Sequence, residues 1–179
     1  QIRWVLEELK RNPTSRRLVT SAWAPENAHQ SSLPPCHFAF VFNVQYDKEG
    51  EPRLNLHLTQ RSCDVALGLP YNIAGYALLL HLFSLWSGLR PGMMGHTLVD
   101  AHIYTKKMDG SMAEYDHVPG LWEQLMREPR PLPTLRLSDT VSSLDGVMSL
   151  LDKDTAEVMS HFQLDGYDPH PAIRFAVAV

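Results

Sequence analysis

The stretch LNLHLTQRSCDVALGLPYNIAGYALLLHLFSLWSGL, from Leu54 to Leu89, decides how the chain is read. Its first part alternates. Leu54, Leu56 and Leu58 are separated by Asn55, His57 and Thr59, the two-residue period of a strand buried on one face. Its last part, Tyr71 to Leu89, is apolar nearly all round and has no internal proline, which predicts a buried central helix. Between them Gln60-Arg61-Ser62-Cys63-Asp64 ends the strand in polar residues just before the helix, where side chains commonly face a pocket.

Upstream, Asp47 to Pro52 (DKEGEP) supplies a turn. His37 to Tyr46 and Leu18 to Trp23 are rich in β-branched and aromatic residues and read as extended segments. The loop from Ala24 to Pro35 carries Pro25 and Pro34-Pro35 and is predicted to be irregular. Ile2, Val5, Leu6 and Leu9 recur at helical spacing until Asn12-Pro13. A chain that starts inside such a helix leads us to expect a missing N-terminal portion.

Downstream, Thr97 to Tyr104 reads as a strand and Lys106 to Glu114 as a polar surface loop. Leu121 to Arg127 suits a short helix, stopped by the prolines at 129, 131 and 133. Leu135 to Leu137 is a candidate edge strand, and Val141 to His161 is predicted to be mostly helical. Phe162 to Val179 reads as two short extended segments around Pro169-His170-Pro171. Strands and helices mix without βαβ regularity, so one α+β domain over residues 1–179, a sheet packed with helices, is expected.

The 179 residues are 44% hydrophobic and 20% charged, ordinary for a globular chain. A formal net charge of −4 argues against a general nucleic-acid or membrane surface binder. One phosphate, by contrast, needs only a local basic cluster. No N-terminal signal segment is visible, and the longest apolar run contains His81 and is too short to span a bilayer. A soluble, cytoplasmic protein is expected. Cys36 and Cys63 lack the spacing of a zinc site and are expected as free thiols, with no metal.

Several residues could carry chemistry. Cys36 follows the rigid Leu33-Pro34-Pro35 and precedes a strand; as a nucleophile it needs nearby positive charge, and otherwise it is a small buried hydrophobe. Arg16-Arg17 and Arg61-Ser62 could bind phosphate through guanidinium forks and a hydroxyl, or be solvated charge. Asn72, inside an apolar segment, must find hydrogen-bond partners. Its amide matches the O4 and N3–H pattern of uracil, although a helix cap would also account for it. Asp100, His102 and Tyr104 lie two apart on a strand, so one face could bind a ribose hydroxyl or simply meet solvent.

The order of these groups carries more than any one of them. Ser15-Arg16-Arg17, Ser21-Ala22-Trp23, Leu33-Pro34-Pro35-Cys36-His37, Gln60 to Asp64, Leu67-Gly68-Leu69-Pro70-Tyr71-Asn72-Ile73 and Asp100 to Tyr104 come in turn. Arg127-Glu128-Pro129-Arg130-Pro131-Leu132-Pro133 and Gly166-Tyr167-Asp168-Pro169-His170-Pro171 follow. In that order they resemble the thymidylate synthase family, across the whole chain but covering only the later part of the family's length.

The resemblance implies an α+β fold in which two subunits pack their sheets face to face. It implies that Cys36 adds to C6 of dUMP, making C5 a carbon nucleophile that takes a one-carbon unit from 5,10-methylenetetrahydrofolate. Arg61 and Ser62 would hold the phosphate, with Arg16 and Arg17 reaching in from the partner of a homodimer. Asn72 would read the base edge, and His102 with Tyr104 the 3′-hydroxyl. Asp64 would order folate and nucleotide, and Leu67, Gly68, Tyr71 and Ala178 would line the folate pocket, closed by Val179. Cys63 sits within the substrate-binding run and is itself read as structural. Arg61 beside Cys36 would also favour a reactive thiolate.

There are departures. Thr105-Lys106-Lys107-Met108 stands where the family usually has an asparagine–histidine pair, and about ten extra residues follow, through Gly120. Gly75 replaces a common serine, and Val41 a common glutamine. Relatives in the superfamily hydrate the transferred carbon instead, giving hydroxymethyl nucleotides. Asn72 favours uracil, because cytosine-directed relatives tend to carry aspartate there.

Overall fold

The computed structural model describes residues 1–105 and 115–177. The predicted surface loop at 106–114, and Ala178 and Val179, which the resemblance assigns to lining and closing the folate pocket, lie outside the described residues. Contacts divide the chain into two compact units, Gln1–Cys63 with Gly68–His102 and Asp64–Leu67 with Ile103–Val179. The architecture is α+β, as expected.

The first unit is built on a four-stranded sheet in the order β1-β2-β3-β4: β1 Val19–Ser21, β2 His37–Tyr46, β3 Pro52–Asp64 and β4 Arg90–His102. The leucine alternation sets its register. Antiparallel pairing puts Phe40 opposite Leu58, Phe42 opposite Leu56 and Val44 opposite Leu54, one apolar face shared by two strands. Helices α1 (Ile2–Arg11) and α2 (Gly68–Ser87) supply the other half of the core. Phe42 stacks on Phe83 at 4.4 Å between ring centres, and Phe83 meets Trp86. Val5, Leu6 and Leu9 are buried at the spacing seen in the sequence.

The Asp47–Pro52 turn forms as expected. Asp47 accepts from the backbone N–H groups of Glu49 and Glu51 and from Arg53 Nε, and Gly50 takes the left-handed φ of +82° that closes it.

Three expectations for this unit need correction. Strand β4 begins at Arg90, not Thr97. Its glycines admit close approach: a Cβ at Gly92 would sit 2.2 Å from Asn55 Oδ1, and one at Gly95 2.7 Å from His57 Nδ1. Contacts of Asn55 with Met93 and of His57 with Thr97 climb both strands together, as in a parallel pair joined by a helical crossover. A βαβ element is therefore present. Helix α2 is buried only in its second half, at Leu80, Leu82, Phe83 and Trp86, while Tyr71 is 75% exposed. Strand β4 also stops at His102, so Tyr104 does not continue its face; the Tyr104 carbonyl instead accepts from the His117 backbone N–H.

In the second unit, α3 spans Val118–Leu125, starting three residues earlier than read, with a proline in its first turn. Strands β5 (Thr134–Leu137) and β6 (Phe162–Asp165) form an antiparallel pair. The long helix expected over 141–161 is instead a 3-10 turn at Asp139–Ser142, α4 (Leu144–Met148) and α5 (Thr155–Ser160). The breaks are made by caps: Ser143 accepts from Gly146 N–H, and Asp154 from Glu157 N–H. The two proline-rich motifs are tied together. Arg127 donates to the Pro171 carbonyl, Arg130 to the carbonyl and carboxylate of Asp168, and His170 Nε2 to the Glu128 carbonyl. Of the two C-terminal extended segments expected, β6 forms, and residues 167–177 carry no regular element.

Candidate active site

Cys36 is a half-buried free thiol at the head of β2. The chain bends at Cys36, the pairing register shifts between His37 and Ala39, and Arg61 on β3 donates its backbone N–H to the Cys36 carbonyl at 2.9 Å. The Arg61 side chain then wraps the proline loop. Its Nε donates to the Pro35 carbonyl at 3.1 Å, and Nη2 donates to the Pro34 carbonyl at 2.6 Å and approaches Cys36 Sγ at 3.7 Å. Prolines cannot donate, so their carbonyls are natural partners for an all-donor guanidinium. Beside the thiol, His37 Nδ1 is hydrogen-bonded to Tyr76 Oη at 2.8 Å, and burial pushes that phenol above its ordinary range.

Gln60, which opens the polar run at the end of β3, organises the next group. It continues the Leu54–Leu56–Leu58 alternation onto the core face and is 2% exposed. The Ser62 carbonyl can only accept, so the Gln60 amide nitrogen faces it at 3.2 Å. The same nitrogen donates to Asn72 Oδ1 at 2.9 Å. Oε1 therefore accepts from His96 Nε2 at 2.8 Å. Burial first, and His57 second, hold the His96 imidazole below its ordinary range. Asn72 is the fifth residue of α2, so the helix-cap alternative is set aside. Its Oδ1 is engaged by Gln60, which turns its NH₂ outward as a donor.

Of the other predicted residues in this unit, Ser62 and Gly68 are half-buried, Cys63 is buried and Tyr71 is exposed. His102 Nδ1 lies 3.7 Å from Asp100 Oδ1. Arg16 and Arg17 are exposed, and their side chains make no hydrogen bond among the described residues. Buried Glu8 is held below the usual carboxylate range by its hydrogen bond from Arg11, then by Ser15, with Arg17 contributing at longer range. Val19, Trp23, Pro25, Phe38 and Arg61 line an open cavity of about 580 Å³ on the sheet's second face.

In the second unit, Asp64 Oδ1 accepts from the N–H groups of Ala66 and Leu67 at 3.0 and 3.3 Å, fixing the carboxylate at the end of β3. Buried His117, which the sequence reading did not single out, lies 3.8 Å from that oxygen. Its ring meets those of Tyr104 and Phe175 edge-on.

The fold and these residues define a class: an α+β chain with a cysteine gripped by an arginine at one strand head, an amide held in one orientation, and a fixed carboxylate. A family model described as thymidylate synthase matches residues 1–179. The chain is 39% identical over 219 residues to a thymidylate synthase of Haloferax volcanii, covering 99% of this chain and 59% of that protein. It is also 39% identical over 183 residues to one of Saccharomyces cerevisiae, covering 100% of this chain and 54% of that protein. The chain belongs to the thymidylate synthase family, and it spans little more than half the length of these relatives.

Proposed function

We propose that the protein converts dUMP to dTMP, with 5,10-methylenetetrahydrofolate supplying the carbon and the hydride. The observation that carries this reading is the Arg61–Cys36 pair: a guanidinium 3.7 Å from a free thiol, immobilised by two proline carbonyls. A guanidinium held there can donate to sulfur while Cys36 adds to C6 of the pyrimidine. The charge developing on the O4 side is then met by the Asn72 NH₂, whose orientation Gln60 sets. Arg61 Nη1 makes no hydrogen bond among the described residues, which suits it, with Ser62, to phosphate.

His102 and Tyr104 are assigned to the 3′-hydroxyl. Asp64, Leu67, Gly68, Tyr71 and Ala178 are assigned to the folate, which Val179 closes over. Cys63, buried within the substrate-binding run, packs in the core. Arg16 and Arg17 serve the phosphate of a second subunit in a homodimer, in keeping with their exposure and with the open second face of the sheet. The protein acts in the cytoplasm.

Cys36→Ser in the full-length protein tests the reading. Turnover should be abolished while dUMP still binds within a few-fold of wild type; surviving turnover would remove Cys36 as the nucleophile.

A further inference from the structure

His117 is 2% exposed and sits at the N-terminal cap of α3. Its Nε2 lies 2.9 Å from the Ala176 carbonyl. A carbonyl only accepts, so Nε2 carries the proton, and the imidazole holds the C-terminal arm, residues 167–177, by its backbone. The ring cannot swing away. Phe175 meets it edge-on at 5.1 Å and Tyr104 at 5.8 Å, and its backbone N–H is bound to the Tyr104 carbonyl. The other ring nitrogen, Nδ1, is buried and has no hydrogen-bond partner among the described residues.

A buried acceptor of this kind costs stability unless a donor reaches it. The group it faces is Asp64 Oδ1, at 3.8 Å. That is beyond a direct hydrogen bond, and it leaves two acceptors converging where one N–H or O–H donor could serve both. We propose that His117 is a positioning residue coupling the C-terminal arm to the Asp64 carboxylate, so that a donor bound at Asp64 and the ordered arm stabilise each other. The inference rests on the assignment of Asp64 to the folate. By linkage, what strengthens one side must strengthen the other.

Two substitutions separate the ring nitrogens. In His117→Gln the amide nitrogen reaches the Nε2 position and keeps the bond to Ala176 but offers nothing at Nδ1. In His117→Asn a polar group remains near Nδ1 and the arm is released. The test uses full-length protein with dUMP, with tetrahydrofolate as the unreactive probe. It reads the tetrahydrofolate Kd and the hydrogen exchange of residues 172–177. His117→Gln should keep wild-type exchange in the free arm while its tetrahydrofolate Kd rises roughly tenfold. His117→Asn should raise both the Kd and the exchange rate roughly tenfold. The dUMP Kd should not move in either.

Wild-type Kd values in both variants would overturn the coupling alone. No tetrahydrofolate binding by the wild type would overturn the folate reading and this inference with it. Should both substitutions unfold the protein, Asp64→Asn carries the test with His117 in place. It should leave exchange in the free arm at the wild-type rate and abolish the slowing that tetrahydrofolate brings there, and slowing equal to that in the wild type would overturn the coupling.

Discussion

Gln60 Nε2 donates to Asn72 Oδ1 at 2.9 Å, and the Ser62 carbonyl on the same nitrogen decides which way both amides point. A glutamine on the core face of a leucine-lined strand thereby fixes the donor that the next helix presents. Gln60→Leu should fit the volume and strand His96 and Asn72 without their partner. The expected cost is about 1–3 kcal/mol, read by urea unfolding, with loss of nucleotide affinity greater than this destabilisation alone explains. An unfolding midpoint equal to wild type would mean that the amide chain is not formed in solution.

Asn72→Asp keeps an acceptor for Gln60 but replaces the outward donor with a second acceptor. The preference should shift toward the cytosine nucleotide, whose exocyclic amine donates. Competition binding of dCMP against dUMP measures this. An unchanged preference would place base reading elsewhere.

Arg61→Lys retains the charge and loses the fork that grips Pro34 and Pro35 while facing Cys36. Alkylation of Cys36 by iodoacetamide should slow roughly tenfold, with Cys36→Ser as the unlabelled control. Alkylation at the wild-type rate would remove Arg61 as the group that activates the thiol.

Arg16 and Arg17 are assigned across a subunit boundary, so they should complement in trans. Arg16→Ala/Arg17→Ala and Cys36→Ser proteins, each inactive alone, should regain roughly a quarter of wild-type activity after mixing and subunit exchange. No recovery, with mixed dimers demonstrated by mass, would place both arginines in the site of their own chain.

Asp47 provides a pH signature. The Glu51 N–H, then Arg53, hold its carboxyl below the usual range in the fold. A group acidified by folding contributes stability above its unfolded pKa and loses it as pH falls through the folded value. The melting-temperature gap between wild type and Asp47→Asn should therefore be constant from about pH 5 to 8 and close below about pH 4. A gap that widens in acid would contradict the bonding at the turn.

Much of the first unit was legible because one period sets it. The alternation Leu54–Leu56–Leu58 gives the strand and its buried face, and it runs on to Gln60, a polar residue at a core position that marks the site. The cover on α2 was not legible: a helix apolar all round has no stripe to tell its buried half from the end carrying exposed Tyr71. The first half of β4 was hidden by Pro91, Gly92 and Gly95, residues that weaken a strand reading yet here admit Asn55 and His57. Ser143 and Asp154 had the chemistry of caps but sat inside an apolar pattern that reads as one helix. Family order pointed to Cys36, Arg61, Asp64 and Asn72. His117 gave no signal beyond preceding Val118-Pro119 at a helix start, because its partners, Asp64 and Ala176, are distant in sequence.

The most direct measurement incubates full-length protein with dUMP and 5,10-methylenetetrahydrofolate and identifies both products by mass. The account predicts dTMP with dihydrofolate, formed together and lost together in Cys36→Ser. Hydroxymethyl-dUMP with tetrahydrofolate, or dUMP bound and returned unchanged, would contradict it.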